Sequence, residues 1–242
     1  MGMGSQRSAE TLHFLRTIEQ PCAYLATEKA SNLLADPSWP MDASAYAVLL
    51  ANGFRRSGDS VYRPSCPACE ACVPVRIPVH GFTPSRSQRR TLKANADVHY
   101  RTAKPDATEP YLALYQKYMH SRHLGSDMAS ASPEQFLGFL DSSWCHTVFL
   151  ELWLGSDLIA VAVTDQADNA LSAVYTFFDP TYTRRSLGKL AILLQLQIAE
   201  AHSLKWLYLG YSIAACQNMA YKTEFRPHQR FIGGVWQPSD GG

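Results

Sequence analysis

The chain has 242 residues, 46% of them hydrophobic and 18% charged, and a net charge of only +1. That is enough apolar material for one large domain or two modest ones, and no run of about 18 apolar residues is present to span a membrane. The start, MGMGSQRSAETLHFL, has no long apolar stretch of the secretory kind. Six cysteines without such a signal point to the reducing cytoplasm, not to a disulfide framework.

Up to residue 80 the chain reads as irregular and rich in Pro, Cys and aromatic residues. One helix stands out, capped by Asp42, ended by Gly53, with Tyr46, Leu49 and Leu50 facing inward. Cys66, Cys69 and Cys72 then form a C-x2-C-x2-C run, with sulfurs close enough in sequence to meet one zinc ion or one iron–sulfur cluster. Cys22 is the natural fourth ligand. Three reduced thiols in a tight turn are the competing reading. Cys145 and Cys216 stand alone and read as small hydrophobes.

The run VPVRIPV after the cysteines alternates like a strand, and its prolines predict a sheet edge. The segment FTPSRSQRRTLKANAD reads as a link to a second half of different texture. Arg86, Arg89, Arg90, Lys93, Arg101 and Lys104 face one acid, Asp97, in this region. The window is therefore +5 and leaves −4 for the rest of the chain. A local basic stripe on a slightly acidic body suits contact with phosphates at one place.

The second half opens with the helical segment EPYLALYQKYMHSRH, and Ser132-Pro133-Glu134-Gln135 is a capping box leading into another helix. Three strand-like runs follow at 147–154, 158–166 and 170–178, joined by turns short enough for hairpins. A helix over 187–202, a buried strand over 204–210, a helical turn near 213–221 and a last strand-like RFIGGVW complete the chain. With the strand over 204–210 paired in parallel beside the last hairpin strand, this is an α+β order of the acetyltransferase-like, GNAT type. In that fold the loop before the long helix cradles a pyrophosphate on backbone N–H groups. Here it reads DPTYTRRSLGKLA: Arg185 and Gly188 fit, but Leu190 stands where a small residue is needed. A donor other than acetyl-coenzyme A follows, and an aminoacyl-tRNA suits an already activated ester, with Arg184, Arg185, Lys189 and the earlier stripe on its phosphates.

The chain resembles the bacterial aminoacyl-tRNA–protein transferases of the N-degron pathway, relatives of eukaryotic arginyltransferase. The resemblance rests on PCAYL (21–25), YRPSCPACEACVPVRIPV (62–79), FTPSRSQRRTLKAN (82–95), YQKYMHSRH (115–123), SLGKLAILLQLQIA (186–199) and YLGYSIAACQNMAYKTEFRP (208–227). It departs from the family at Ser212, where members often carry Trp near the YLGY block. The resemblance implies a cysteine-bearing amino-terminal domain (1–100) and a GNAT-like transferase domain (101–242). It implies transfer of leucine from leucyl-tRNA to the α-amine of proteins beginning with Asp or Glu, with arginine as the alternative donor amino acid. No cofactor is required for the transfer, and zinc or an iron–sulfur cluster is possible at Cys22, Cys66, Cys69 and Cys72.

For that chemistry the acceptor carboxylate needs a cation, and Arg76 and Arg89 are the candidates. Tyr211 or Tyr221 could donate to the oxyanion or relay the amine proton, and His123 could orient the amine. Arg86, Arg90, Lys93, Arg184, Arg185, Lys189 and Lys222 are the candidate tRNA contacts. A binding module that presents acidic N-termini without modifying them, and a coenzyme A-dependent acetyltransferase, are the competing classes.

Overall fold

The computed structural model describes residues 11–122 and 130–239. The amino-terminal half builds a small sheet against one helix. Strands β1 (Phe14–Arg16), β4 (Asn32–Ala35), β5 (Arg55–Ser57) and β6 (Ser60–Pro64) pair antiparallel in the order β1-β4-β6-β5, while β2 (Gln20–Pro21) and β3 (Lys29–Ala30) form a separate ribbon. Helix α1 (Ala43–Ala51) has the expected cap: the Asp42 carboxylate accepts from the Ala45 N–H at 2.9 Å. It buries Tyr46, Leu49 and Leu50, and the chain turns away at Gly53 with φ +81°.

After the cysteines come β7 (Val73–Pro78), α2 (Arg86–Ala94), β8 (Val98–Ala103), α3 (Glu109–Arg122) and α4 (Pro133–Leu140). The apolar alternation then delivers β9 (His146–Leu154), β10 (Asp157–Ala167) and β11 (Ala170–Phe178). Two-residue turns join these three strands, Gly155-Ser156 with Gly155 at φ +59°, and Asp168-Asn169 with Asp168 at φ +48°. Helix α5 (Leu187–Ala201), β12 (Trp206–Ser212), α6 (Gln217–Ala220), a 3-10 turn (Tyr221–Glu224), β13 (Gln229–Ile232) and β14 (Val235–Pro238) follow. Eight strands share one sheet in the order β14-β13-β7-β12-β11-β10-β9-β8, and β12 runs parallel to β11. This is a mixed α/β fold with amino- and carboxyl-terminal parts. No helix of the described residues is long and apolar enough to cross a membrane.

Three expectations change. The VPVRIPV strand is interior, with β12 on one side and β13 on the other. Its prolines are tolerated because β13 pairs only with Val75 and Arg76, two of the three residues between Pro74 and Pro78. The supposed link over 82–97 holds a helix, α2, because Ser85 and Gln88 form a capping box: Ser85 Oγ accepts from the Gln88 N–H, and Gln88 Oε1 from the Ser85 N–H. RFIGGVW is a hairpin, since Gly233 and Gly234, at φ +59° and +83°, permit a tight turn between β13 and β14.

The large sheet is covered on one face by α5 and α2, where Val75, Ile77, Leu207 and Leu209 pack with Ile192, Leu193 and Leu196. On the other face α3 and α4 pack on Phe149, Val161 and Phe177. There too α1 and the small sheet pack on Ala167, Ala170 and Tyr208. A buried ion pair ties that last junction. Arg56 of β5 donates from Nε to Asp165 Oδ2 at 2.7 Å and from Nη2 to Oδ1 at 2.5 Å, with neither side chain exposed to solvent. Its other donors reach the Leu140 and Asp141 carbonyls and Thr147 Oγ1, and Tyr46 and Thr147 also donate to Asp165. Removing one partner strands a desolvated charge, which costs about 3–5 kcal/mol. Asp165→Asn is expected to lower the thermal midpoint sharply, as read by calorimetry, whereas Lys29→Ala, which breaks the exposed pair with Glu19, is expected to change it little.

Candidate active site where two strands part

Strands β11 and β12 pair over three residues only, Ala170–Ser172 against Trp206–Tyr208. Beyond them β11 runs on to Phe178 and β12 to Ser212, so the sheet opens and releases backbone carbonyls that need donors. Arg55 fills part of the opening, and its Nη2 donates to the Ala173 carbonyl at 2.5 Å. Glycine is required opposite it. Gly210 adopts φ +74°, and a Cβ there would lie 2.9 Å from Arg55 Nε. On β12, the Tyr211 carbonyl accepts from Lys222 Nζ at 2.9 Å. Two cations from distant parts of the chain thus serve the carbonyls of the parted strands.

Arg55 is buried and Lys222 half-buried, and they feel each other. Arg55 is 7% exposed, and its Nη1 is buried without a hydrogen-bond partner among the described residues. Burial first, and then the Arg55 charge, pulls the Lys222 ammonium down to about 7, with the Cys216 thiol opposing. Arg55 was missed in the sequence because it sits in an ordinary RRS strand. Lys222 was read as a phosphate contact, and the structure turns it inward instead. Cys216, read as a plain hydrophobe, stands near enough to Lys222 to act on it.

The other expected residues divide by place. Tyr211 is buried, and its hydroxyl faces two backbone carbonyls, Gly53 O at 3.1 Å and Tyr62 O at 3.3 Å. Burial, followed by Tyr62, raises its proton affinity, so it serves as a bracket from the large sheet to the small one. Tyr221 is half-buried beside Phe225 and pushed up to about 12 by burial ahead of Tyr118 and Glu224. His123 lies outside the described residues.

Arg76 lies over two indoles, its guanidinium carbon 3.7 Å from the Trp206 ring centre and 4.3 Å from that of Trp236. Its donors reach Gln229 Oε1 at 2.8 Å and Tyr208 Oη at 3.3 Å. Arg89 is exposed on α2 and donates to the Pro84 carbonyl at 2.6 Å.

Of the remaining cations, Arg185 is bound bidentate to Asp97 at 2.8 and 2.9 Å, Lys189 pairs with Glu224, and Arg101 with Glu151. Arg86, Arg90, Lys93 and Arg184 are exposed and enter no ion pair among the described residues. Leu190 is 2% exposed and packs into the core with Leu150 and Ile159, so it does not fill the loop before α5. What changes that loop is Arg185, whose guanidinium Asp97 already holds.

Behind Tyr211 a cavity of about 400 Å³ is lined by Cys22, Cys66, Cys69, Cys72, Tyr62 and Tyr211. Burial, then the sulfurs of Cys66, Cys22 and Cys69, pushes the Cys72 thiol up to about 11. The donor chemistry suits zinc or an iron–sulfur cluster, but among the described residues no three His, Cys, Asp or Glu side chains are grouped to hold a metal ion.

Residues 20–90 match the sequence model of the arginine-tRNA-protein transferase N terminus, and residues 110–232 that of its C terminus. The chain belongs to the arginine-tRNA-protein transferase family. It is 49% identical to an aspartate/glutamate leucyltransferase of Pseudomonas savastanoi pv. phaseolicola and 49% identical to one of Pseudomonas fluorescens, each over 93% of this chain and 96% of the relative. Among solved structures, the C-terminal domain of a putative lysylphosphatidylglycerol synthetase from Agrobacterium fabrum superposes with a TM-score of 0.50 at 13% identity. That likeness covers 70% of this chain and 59% of the other, and it is one of fold.

The Lys222 shift has a definite sign. The folded ammonium releases its proton near 7, well below the ordinary value of 10.5, so between these limits the unfolded chain binds the extra proton. Its contribution therefore destabilises most at and below pH 7, and the penalty fades as pH rises toward 10. Thermal melts of Lys222→Met against the parent are expected to show the largest advantage for the variant at pH 6–7 and a shrinking one at pH 9–10.

Proposed function

We infer that this chain transfers leucine from leucyl-tRNA to the α-amino group of proteins that begin with Asp or Glu. The observation that carries this reading is the likeness to aspartate/glutamate leucyltransferases over 93% of the chain. We read the carboxyl-terminal part as a GNAT-like acyltransferase. Strand β8, two helices, three antiparallel strands, α5, and a β12 that is parallel to β11 and parts from it support that reading.

The chemistry asks little beyond placement. The leucyl ester is already activated, so no cofactor enters the transfer. An N-terminal amine, with a pKa of about 7.7–8.0, is partly neutral at cytoplasmic pH. Bringing amine and ester together in the opening between β11 and β12 supplies most of the rate. Tyr221 keeps its proton at neutral pH and is the proposed donor to the developing oxyanion. Arg86, Arg89, Arg90 and Lys93 on α2, with Arg184 nearby in sequence to the tied Arg185, are the proposed contacts to tRNA phosphates. Zinc or an iron–sulfur cluster is proposed only as a resident of the four-cysteine cavity and takes no part in the transfer.

Incubation with charged tRNA and a peptide starting with Asp tests the activity by mass spectrometry. One leucine residue is expected to be added from leucyl-tRNA and no arginine from arginyl-tRNA; binding without mass gain would sink the reading. In the same assay, replacing Arg86, Arg90 and Lys93 by Ala is expected to raise the KM for tRNA and to lower the slope of log affinity against log salt by about one per lost phosphate contact. Metal analysis of anaerobically purified protein checks the cavity. About one zinc or one cluster per chain is expected, and its loss on replacing Cys69 and Cys72 by Ser.

A further inference from the structure

We propose that Arg55 and Lys222 together form the receptor for the side-chain carboxylate of the acceptor's first residue. This rests on the leucyl-transfer reading above and names the residues that select its acceptor.

The argument begins with two adjacent arginines treated in opposite ways. Arg56 is buried and fully matched, with both oxygens of Asp165 and four further acceptors around its guanidinium. Arg55, one residue earlier and equally enclosed, has no carboxylate within ion-pair distance among the described residues. Its Nη2 donates to the Ala173 carbonyl, and Nη1 is left without an acceptor among the described residues. Among the described residues Lys222 has only the Tyr211 carbonyl and a long contact to Met219 Sδ. Among the described residues it too enters no ion pair.

A charge drawn out of water without a counter-charge is costly, and two of like sign near each other cost more. Chains do not hold such a pair for stability alone. The arrangement fits an anion receptor whose anion arrives with the substrate. A carboxylate is small enough to reach this floor, and it accepts from a guanidinium N–H and an ammonium at once. The α2 surface offers exposed cations for RNA phosphates, which leaves the enclosed pair for a smaller guest.

The choice of lysine at 222 also follows. An arginine there would carry its charge permanently beside Arg55, whereas Lys222 can shed its proton while the site is empty. An incoming carboxylate cancels the repulsion from Arg55 and favours the charged ammonium again. Arg55 from β5 and Cys216 ahead of α6 are the charged or titratable groups that act on it. Neutral Asn or Gln at the acceptor's start would leave both cations unmatched, so the pair discriminates against amides of the same shape.

The test is steady-state transfer from leucyl-tRNA to peptides that differ only in starting with Asp, Glu or Asn. For Lys222→Met and for Arg55→Gln, the KM for the Asp peptide is expected to rise at least about 30-fold, with the KM for leucyl-tRNA within about threefold of the parent. The preference for Asp over Asn is expected to collapse by the same factor. Because Arg55→Gln disturbs the Ala173 carbonyl, Lys222→Met carries the control for folding, and it is expected to melt at or above the parent at pH 7. A fall in kcat alone with the Asp preference intact, an equal rise in both KM values, or a melting point well below the parent would overturn the proposal. Failure of the parent itself to add leucine would instead strike the underlying reading.

Discussion

When a parallel pair of strands stops pairing part-way along, the carbonyls it releases must find donors elsewhere, because buried backbone oxygens are costly to leave alone. In this protein the donors come from far away. Arg55, from the small amino-terminal sheet, reaches Ala173 on β11, and Lys222, from beyond α6, reaches Tyr211 on β12. Gly210 gives Arg55 its room. The opening is therefore both held apart and electrically positive. An acyl-transfer site needs such a gap, since the amine and the ester must meet inside the sheet layer and out of bulk water.

The same constraint explains why the two halves of the chain are interleaved. Strand β7, from the amino-terminal side, lies between β12 and β13 of the large sheet. Tyr211 faces the carbonyls of Gly53 and Tyr62, and Arg56 is clamped by Asp165 on β10. Arg55 and Arg56 point to opposite sides of one strand, as period two requires. One therefore locks the halves together and the other enters the opening. Substitutions that loosen the Arg56–Asp165 lock would shift Arg55 as well, so stability and acceptor selection are coupled through a single strand.

Charge on this protein is sorted by depth. The surface of α2 presents cations free of ion pairs among the described residues, a fitting approach for a polyanion. Arg185, Lys189 and Arg101, which looked equally available, are held by Asp97, Glu224 and Glu151. Deeper still, Arg76 lies between Trp206 and Trp236 and organises an aromatic cluster. A small net charge thus hides three kinds of basic residue: exposed, ion-paired, and enclosed with no ion pair among the described residues.

Local patterns in the chain were enough for the strands β9 to β11, the α5 stripe, the Asp42 cap and the Ser132 capping box, because each depends on residues within one or two turns of each other. The family was legible too, since its cysteine and PSRSQRR blocks are local strings. The α2 helix and the interior place of β7 were within reach of the same rules, but basic composition and two prolines outweighed the cap and the alternation. The site was legible only in part, through Tyr211, Tyr221 and Lys222. Arg55 and Lys222 are 167 positions apart; Lys222 lies in the 208–227 block, where it reads as a tRNA contact, and nothing beside Arg55 in sequence marks it. Which cations end up paired, exposed or stranded depends on the partners that folding brings across the sheet, and only the tertiary structure decides that.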